Sequence, residues 1–129
     1  MTPGRVRIRQ CERCQISFEI FHYGPGLALV VPVGVGTWLT HPLAVATFGA
    51  HWWTIAVAVV IHFFVYSFFH SIVQGMINSF KKFPNVCPKC GEQLETSAGF
   101  ADRDGIGADE ILATVHYLAL MFLIRLQVA

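Results

Sequence analysis

Four cysteines are the residues of this sequence best suited to chemistry, and they occur as two closely spaced pairs. The first pair lies in Cys-Glu-Arg-Cys at positions 11–14, and the second lies in Cys-Pro-Lys-Cys-Gly at positions 87–91. A Cys-x-x-Cys spacing lets two thiolates bind one metal ion, and two such pairs supply the four ligands of a tetrahedral zinc site. The sequence therefore predicts Zn²⁺ bound by Cys11, Cys14, Cys87 and Cys90.

Two alternatives to zinc follow from the same four residues. Thiolates also bind iron, so a redox-active iron centre of rubredoxin type is the first alternative. Disulfide bonds are the second, although a reducing cytoplasmic location disfavours them. A zinc ion held by four thiolates has no open coordination position, so we expect a structural site. Because the sequence also contains no phosphate-binding loop or nucleophile elbow, we do not predict an enzyme.

The second cysteine pair carries a resemblance to known proteins. Cys-Pro-Lys-Cys-Gly resembles the metal-binding knuckle of zinc ribbons and rubredoxins, in which glycine lets backbone amides turn toward the sulfurs. In the first pair, Gln15 stands where that knuckle has glycine. The chain as a whole resembles small membrane proteins that combine such a knuckle with two or three helices, and no particular family is indicated.

A second group of polar residues recurs within an apolar segment. His62, Tyr66, His70 and Gln74 follow one another at intervals of four, which places them along one face of a helix. One interpretation is that His62 and His70, with His116, bind a haem, pigment or quinone or relay protons. The other is that these side chains hydrogen-bond across a helix interface, with Tyr66 and Gln74 as interface residues. The sequence favours the second interpretation.

The distribution of charge indicates which elements must position these residues. Charged residues make up 13% of the chain, against about 25% in a soluble domain. None lies within 27–80, and the mean hydropathy is +0.54. The high apolar content excludes a disordered chain, and the net charge of +1 disfavours a nucleic-acid-binding module. The composition therefore indicates a small membrane protein.

The lengths of the segments predict a mostly α membrane protein. Residues 27–80 suit a two-helix transmembrane hairpin, because one crossing needs about 20 residues. Residues 1–26 and 81–108 then form the two halves of a small cytoplasmic β zinc ribbon, the second half ending in an acidic linker. The hairpin returns the chain to the side that it left and so brings the cysteine pairs together. Residues 109–129 are predicted to form a third transmembrane helix or an interfacial one.

Basic residues predict the orientation of the chain in the membrane, and together with the cysteine motifs they indicate its function. Arg and Lys flank both ends of the hairpin, so the N-terminus and both cysteine pairs are expected on the cytoplasmic side of a bacterial inner membrane. We expect an accessory or assembly subunit of a larger integral membrane complex. Its partners are then larger membrane subunits and the lipid bilayer, with no nucleic acid and no small-molecule substrate.

The same sequence features are consistent with two other functions. One is a membrane redox carrier with an iron-thiolate centre and a histidine-ligated haem or quinone. The other is a membrane-tethered zinc-ribbon binding module.

Overall fold

The computed structural model describes residues 2–128, and side chains up to residue 127. The elements in chain order are β1 (Thr2–Cys11), β2 (Ile16–Tyr23), α1 (Val30–Leu39), α2 (His41–Phe48), α3 (Trp52–Ser79), β3 (Glu95–Arg103) and α4 (Ala108–Val128). They form two compact units, a sheet unit of residues up to 24 with 74–105 and a helical unit of 25–73 with residues from 106 onward.

Strand β1 is the centre of the sheet unit. The described chain forms one antiparallel sheet in the order β2-β1-β3, so both edges of β1 are paired. In β1, arginines at positions 5, 7 and 9 alternate with Val6 and Ile8, and Val6 is buried. Strand β2 pairs with β1 from Gly4↔Tyr23 to Cys11↔Ile16, so Cys11 ends β1 and Cys14 lies in the turn that follows it.

The prediction of a mostly α membrane protein with its helical hairpin is wrong, because the protein is mixed α/β with a three-stranded antiparallel sheet in the described chain. Strand β3 accounts for much of the difference. It lies in the segment assigned to half of a small ribbon and an acidic linker, and its own pattern gives little sign of a strand. Long-range pairing explains it, since Thr2↔Arg103 through Gln10↔Glu95 satisfy the free edge of β1.

The helices also differ from the predicted hairpin. By length and composition, one helix in the described chain, α3, could cross a membrane, or two if the bent pair before it counts as one span. In that pair, a 3₁₀ turn at Gly26–Leu29 and α1 are followed by α2, with a bend of 62°. Pro42 lies in the first turn of α2, where the missing N–H leaves no helical bond unmade. The predicted helix at 109–129 corresponds to α4, and its placement in or on a membrane stays a prediction.

The core of the helical unit forms where side chains of three helices meet. Val33 of α1, Tyr66 of α3 and a row on α4 are buried together; the α4 residues are Ala113, Tyr117 and Met121. Gly36 of α1 lies against two aromatic side chains. A Cβ atom built on Gly36 would lie 3.1 Å from Nδ1 of His62 and 3.3 Å from Cε1 of Tyr117. The absence of a side chain at Gly36 therefore lets the two rings approach α1 closely.

We predict that Gly36→Ala is less stable than Gly34→Ala, by about 1–2 kcal/mol, because the methyl added at Gly36 overpacks the contact with His62 and Tyr117. Gly34→Ala is the matched control on the same helix, since a Cβ there meets no atom within 4 Å. The control gains helix propensity at little steric cost. Thermal unfolding in detergent measures both variants, and equal melting temperatures for the two would contradict the packing explanation.

Candidate functional site

The four cysteines converge on one point in the sheet unit. Their sulfur atoms all lie within 4.8 Å of one another, and the Sγ atoms of Cys11 and Cys90 are 3.5 Å apart although the residues are separated by 79 positions. In a tetrahedral zinc site with bonds of about 2.3 Å, neighbouring sulfurs lie about 3.8 Å apart. All four cysteines are free thiols, and 3.5 Å is far longer than a disulfide bond of about 2 Å. The arrangement fits a four-thiolate metal site.

Each cysteine pair sits in a turn that the backbone closes. In the first pair, Cys11 is the last residue of β1 and Cys14 lies in the turn between β1 and β2. The second lies in a short hairpin closed by the Val86↔Gln93 bridge. Within it, the amide of Cys87 donates to the carbonyl of Glu92 at 2.8 Å, and the amide of Gly91 donates to the carbonyl of Cys87 at 2.9 Å. These bonds close the turn that carries Cys87 and Cys90.

The residue after each pair adopts a left-handed backbone conformation. Gly91 has φ +75°, and Gln15 at the corresponding position has φ 54°. Gln15 thus reaches the conformation that glycine usually supplies in this knuckle. For a residue with a side chain, that conformation costs roughly 1–2 kcal/mol. The first turn is therefore formed against local strain, whereas the second is not.

The surroundings of the sulfurs differ between the pairs. Hydrogen bonds from the backbone amides of Cys90 and Lys89 lower the pKa of Cys87 to about 6. The side chain of Cys90, with burial, raises the pKa of Cys14 to about 12. The second turn therefore stabilises a thiolate by itself, whereas Cys14 needs the positive charge of a bound metal ion to lose its proton near neutral pH.

Two arginines connect the segments that carry the two pairs. Arg9 of β1 donates from Nη1 to the carbonyl of Phe83 at 2.9 Å, and its guanidinium lies 4.1 Å from the centre of the Phe83 ring. Arg13 pairs with Glu92 at 3.1 Å on the exposed surface, where an ion pair adds little stability. Arg9 is therefore the stronger tether of the segment that leads into the second pair.

His62 is fully engaged by protein groups in the helical unit. The hydroxyl of Thr40 donates to the carbonyl of Gly36 at 2.8 Å and lies 2.7 Å from Nε2 of His62. Nε2 must therefore donate to Thr40, which leaves Nδ1 to accept a hydrogen bond from the Tyr117 hydroxyl. Both ring nitrogens have partners, so this geometry supports the interface interpretation for His62 over the cofactor interpretation.

The next two members of the row also pair with α4. The hydroxyl of Tyr66 lies 2.9 Å from that of Thr114, and Nε2 of His70 lies 2.8 Å from Oδ2 of Asp109. The three pairs His62–Tyr117, Tyr66–Thr114 and His70–Asp109 run in opposite chain directions on the two helices. They form a ladder of polar contacts between antiparallel helices. Gln74, in the sheet unit, is also buried.

His116 does not join this ladder. It is exposed, and its Nδ1 donates to the carbonyl of Leu112 on its own helix. The partner of His70 is Asp109 rather than His116.

Sequence reasoning missed two residues that lie beside His70. Asp109 and Glu110 begin the helix predicted over 109–129, yet they are buried with His70, and the three offer ligand atoms within 4.8 Å of one another. Acidic residues are common in the first turn of a helix because of the helix dipole, so their types alone gave no signal of burial.

No protein family, no curated protein and no solved structure matches this chain. The functional interpretation therefore depends on the geometry of the chain itself.

We predict that Gln15→Gly stabilises the zinc-loaded protein by up to about 1 kcal/mol, because it removes the strain of the left-handed conformation. Gln10→Gly is the matched control. It makes the same substitution within β1, where glycine costs about 0.5–1 kcal/mol. Denaturant unfolding monitored by zinc release measures both variants. If Gln15→Gly loses as much stability as Gln10→Gly, the conformation of Gln15 is not strained.

Proposed function

We propose that this protein is an accessory or assembly subunit of a larger integral membrane complex, stabilised by a structural zinc ion. The observation that carries this proposal is the uncovered apolar face of α3. Phe64 and Phe68 are 66% and 69% exposed, and Ile72 and Met76 continue the same row with about half of each side chain exposed. Apolar surface of this extent is typical of a face that contacts lipid or another protein.

The two faces of α3 differ, because one is buried inside the helical unit and the other is exposed. The row of His62, Tyr66 and His70 is buried, whereas the Phe64 and Phe68 row lies on the opposite side of the helix. A helix of a soluble domain has the reverse pattern, with its apolar side inside. We therefore assign the Phe64 row to the bilayer and to helices of partner subunits.

Zinc is the metal that we assign to the cysteine centre. Four thiolates form a closed site that suits a structural ion, and zinc needs no redox partner. The redox alternative places a haem or quinone on the histidines of the helical unit in addition to an iron-thiolate centre. His62, one of the predicted ligands for such a cofactor, already has protein partners on both nitrogens. This occupancy favours the structural role over the redox alternative.

The proposed location is the bacterial inner membrane, with α3 crossing it and both cysteine pairs on the cytoplasmic side. Lys81 and Lys82 follow the end of α3, and both are exposed. Basic residues at the end of a membrane helix favour the cytoplasmic side. In that orientation the sheet unit presents the zinc centre and its surrounding turns to the cytoplasmic surfaces of partner subunits.

We predict that Cys87→Ser abolishes assembly into the complex, because loss of one thiolate releases the zinc that holds the two turns together. The chain is expressed in its own membrane, extracted in mild detergent, and its native mass and zinc content are measured. The wild type should run well above its 14.4 kDa monomer mass with zinc bound, and the variant should lose both.

Lys89→Gln is the matched control, since Lys89 is exposed, lies in the same turn and supplies no metal ligand. It should retain zinc and native mass. A wild-type chain that is monomeric in mild detergent would contradict the proposed subunit role. Visible absorption bands of iron-thiolate or haem in the purified protein would instead favour the redox carrier.

A further inference from the structure

A second cluster of potential metal ligands lies in the helical unit. It consists of His70 on α3 with Asp109 and Glu110 in the first turn of α4. The three residues are 1%, 6% and 1% exposed. Their ligand atoms lie within 4.8 Å of one another, and Nε2 of His70 lies 2.8 Å from Oδ2 of Asp109. Buried carboxylates beside a histidine are uncommon, because removing charges from water is costly.

The position of the acidic residues explains only part of this arrangement. The N-terminus of α4 stabilises negative charge in its first turn, which accounts for Asp109 and Glu110 as residue types. The helix N-terminus would stabilise these carboxylates equally if their side chains were exposed to water. It does not account for the burial of both carboxylates, or for a histidine directed at them from another helix.

The imidazole of His70 supplies the second observation. Nε2 is buried and makes no hydrogen bond, even though a carboxylate oxygen of Asp109 lies within 2.8 Å. At that distance, the missing bond means that the oxygen lies away from the direction in which the nitrogen would donate or accept. A buried nitrogen that lies within 4.8 Å of carboxylate oxygens of Asp109 and Glu110 and makes no hydrogen bond is a candidate ligand for a cation.

We propose that His70, Asp109 and Glu110 bind a second divalent metal ion of the first transition row. One imidazole nitrogen and two carboxylate oxygens form a harder ligand set than four thiolates, and it suits Mn²⁺, Fe²⁺ or Zn²⁺. Three protein ligands leave at least one coordination position for water or another ligand. This site is therefore open, whereas the four-cysteine site is closed.

Manganese distinguishes the two sites in one experiment. Thiolates select zinc and similar soft ions, whereas carboxylate and imidazole accept Mn²⁺. The full-length protein is purified in detergent with zinc in the cysteine site and titrated with Mn²⁺, and free Mn²⁺ is followed by electron paramagnetic resonance. We expect the wild type to bind one Mn²⁺ per chain, and spin-echo spectra of the bound ion to show coupling to one imidazole nitrogen.

Substitutions test two of the three ligands. His70→Gln and Glu110→Gln should weaken Mn²⁺ binding by more than the roughly 10–100-fold that follows loss of an outer-shell partner. His116→Ala is the matched control, because His116 is an exposed histidine on α4, and it should bind Mn²⁺ as the wild type does. Retention of zinc at the cysteines and of the circular dichroism spectrum verifies that each variant is folded.

The site is overturned by a wild type that binds no stoichiometric Mn²⁺, or by bound Mn²⁺ without nitrogen coupling. It is also overturned by folded His70→Gln and Glu110→Gln variants that bind Mn²⁺ as tightly as the wild type. The spin-echo result stands even if a variant fails to fold, because it is measured on the unaltered chain. The proposal is independent of the proposed subunit role, which is tested by native mass.

Discussion

The sheet unit depends on one constraint, which is that four sulfurs from two distant parts of the chain must meet at a single point. The buried side chains around that point are few, and two of the three that form its core, Cys11 and Cys87, are themselves candidate ligands, with Leu94 as the third. So small an apolar core supplies little stability by itself, and small folds of this kind rely on metal or disulfide links. The pairing of β1 with β2 and β3, the closed turn at the second cysteine pair and the Arg9 tether all bring the sulfurs together.

The helical unit depends on a different interaction, the pairing of buried polar side chains. If α3 and α4 slide along one another, each pair of the ladder loses its contact and leaves buried polar groups unpaired. An unpaired buried polar group costs about 1–3 kcal/mol. The ladder therefore fixes the register of two helices whose outer faces are apolar and contribute no register of their own. Gly36 supports this arrangement by giving the His62 and Tyr117 rings access to α1.

The last rung, at His70, differs from the others. His62 and Tyr66 each pair with a neutral hydroxyl, whereas His70 meets two carboxylates in the first turn of α4. Burying a carboxylate costs more than burying a neutral hydroxyl, because a charge is removed from water. The chain thus combines two kinds of candidate metal site. One is a closed thiolate site within a β-sheet unit, and the other is an open nitrogen and oxygen site between helices.

The sequence by itself determined the metal-binding potential of the four cysteines, the buried row on α3 and the presence of a long apolar helix. These features follow from local spacing, because Cys-x-x-Cys turns and a repeat of four are set by neighbouring residues. Only the tertiary structure decided the rest. Strand β3 exists because the free edge of β1 needs a partner. The 62° bend divides the first part of the predicted hairpin into α1 and α2. The partner of His70 is Asp109, with Glu110 nearby, rather than His116. Which residues meet across two helices depends on the register of the helices, and no local pattern encodes that register.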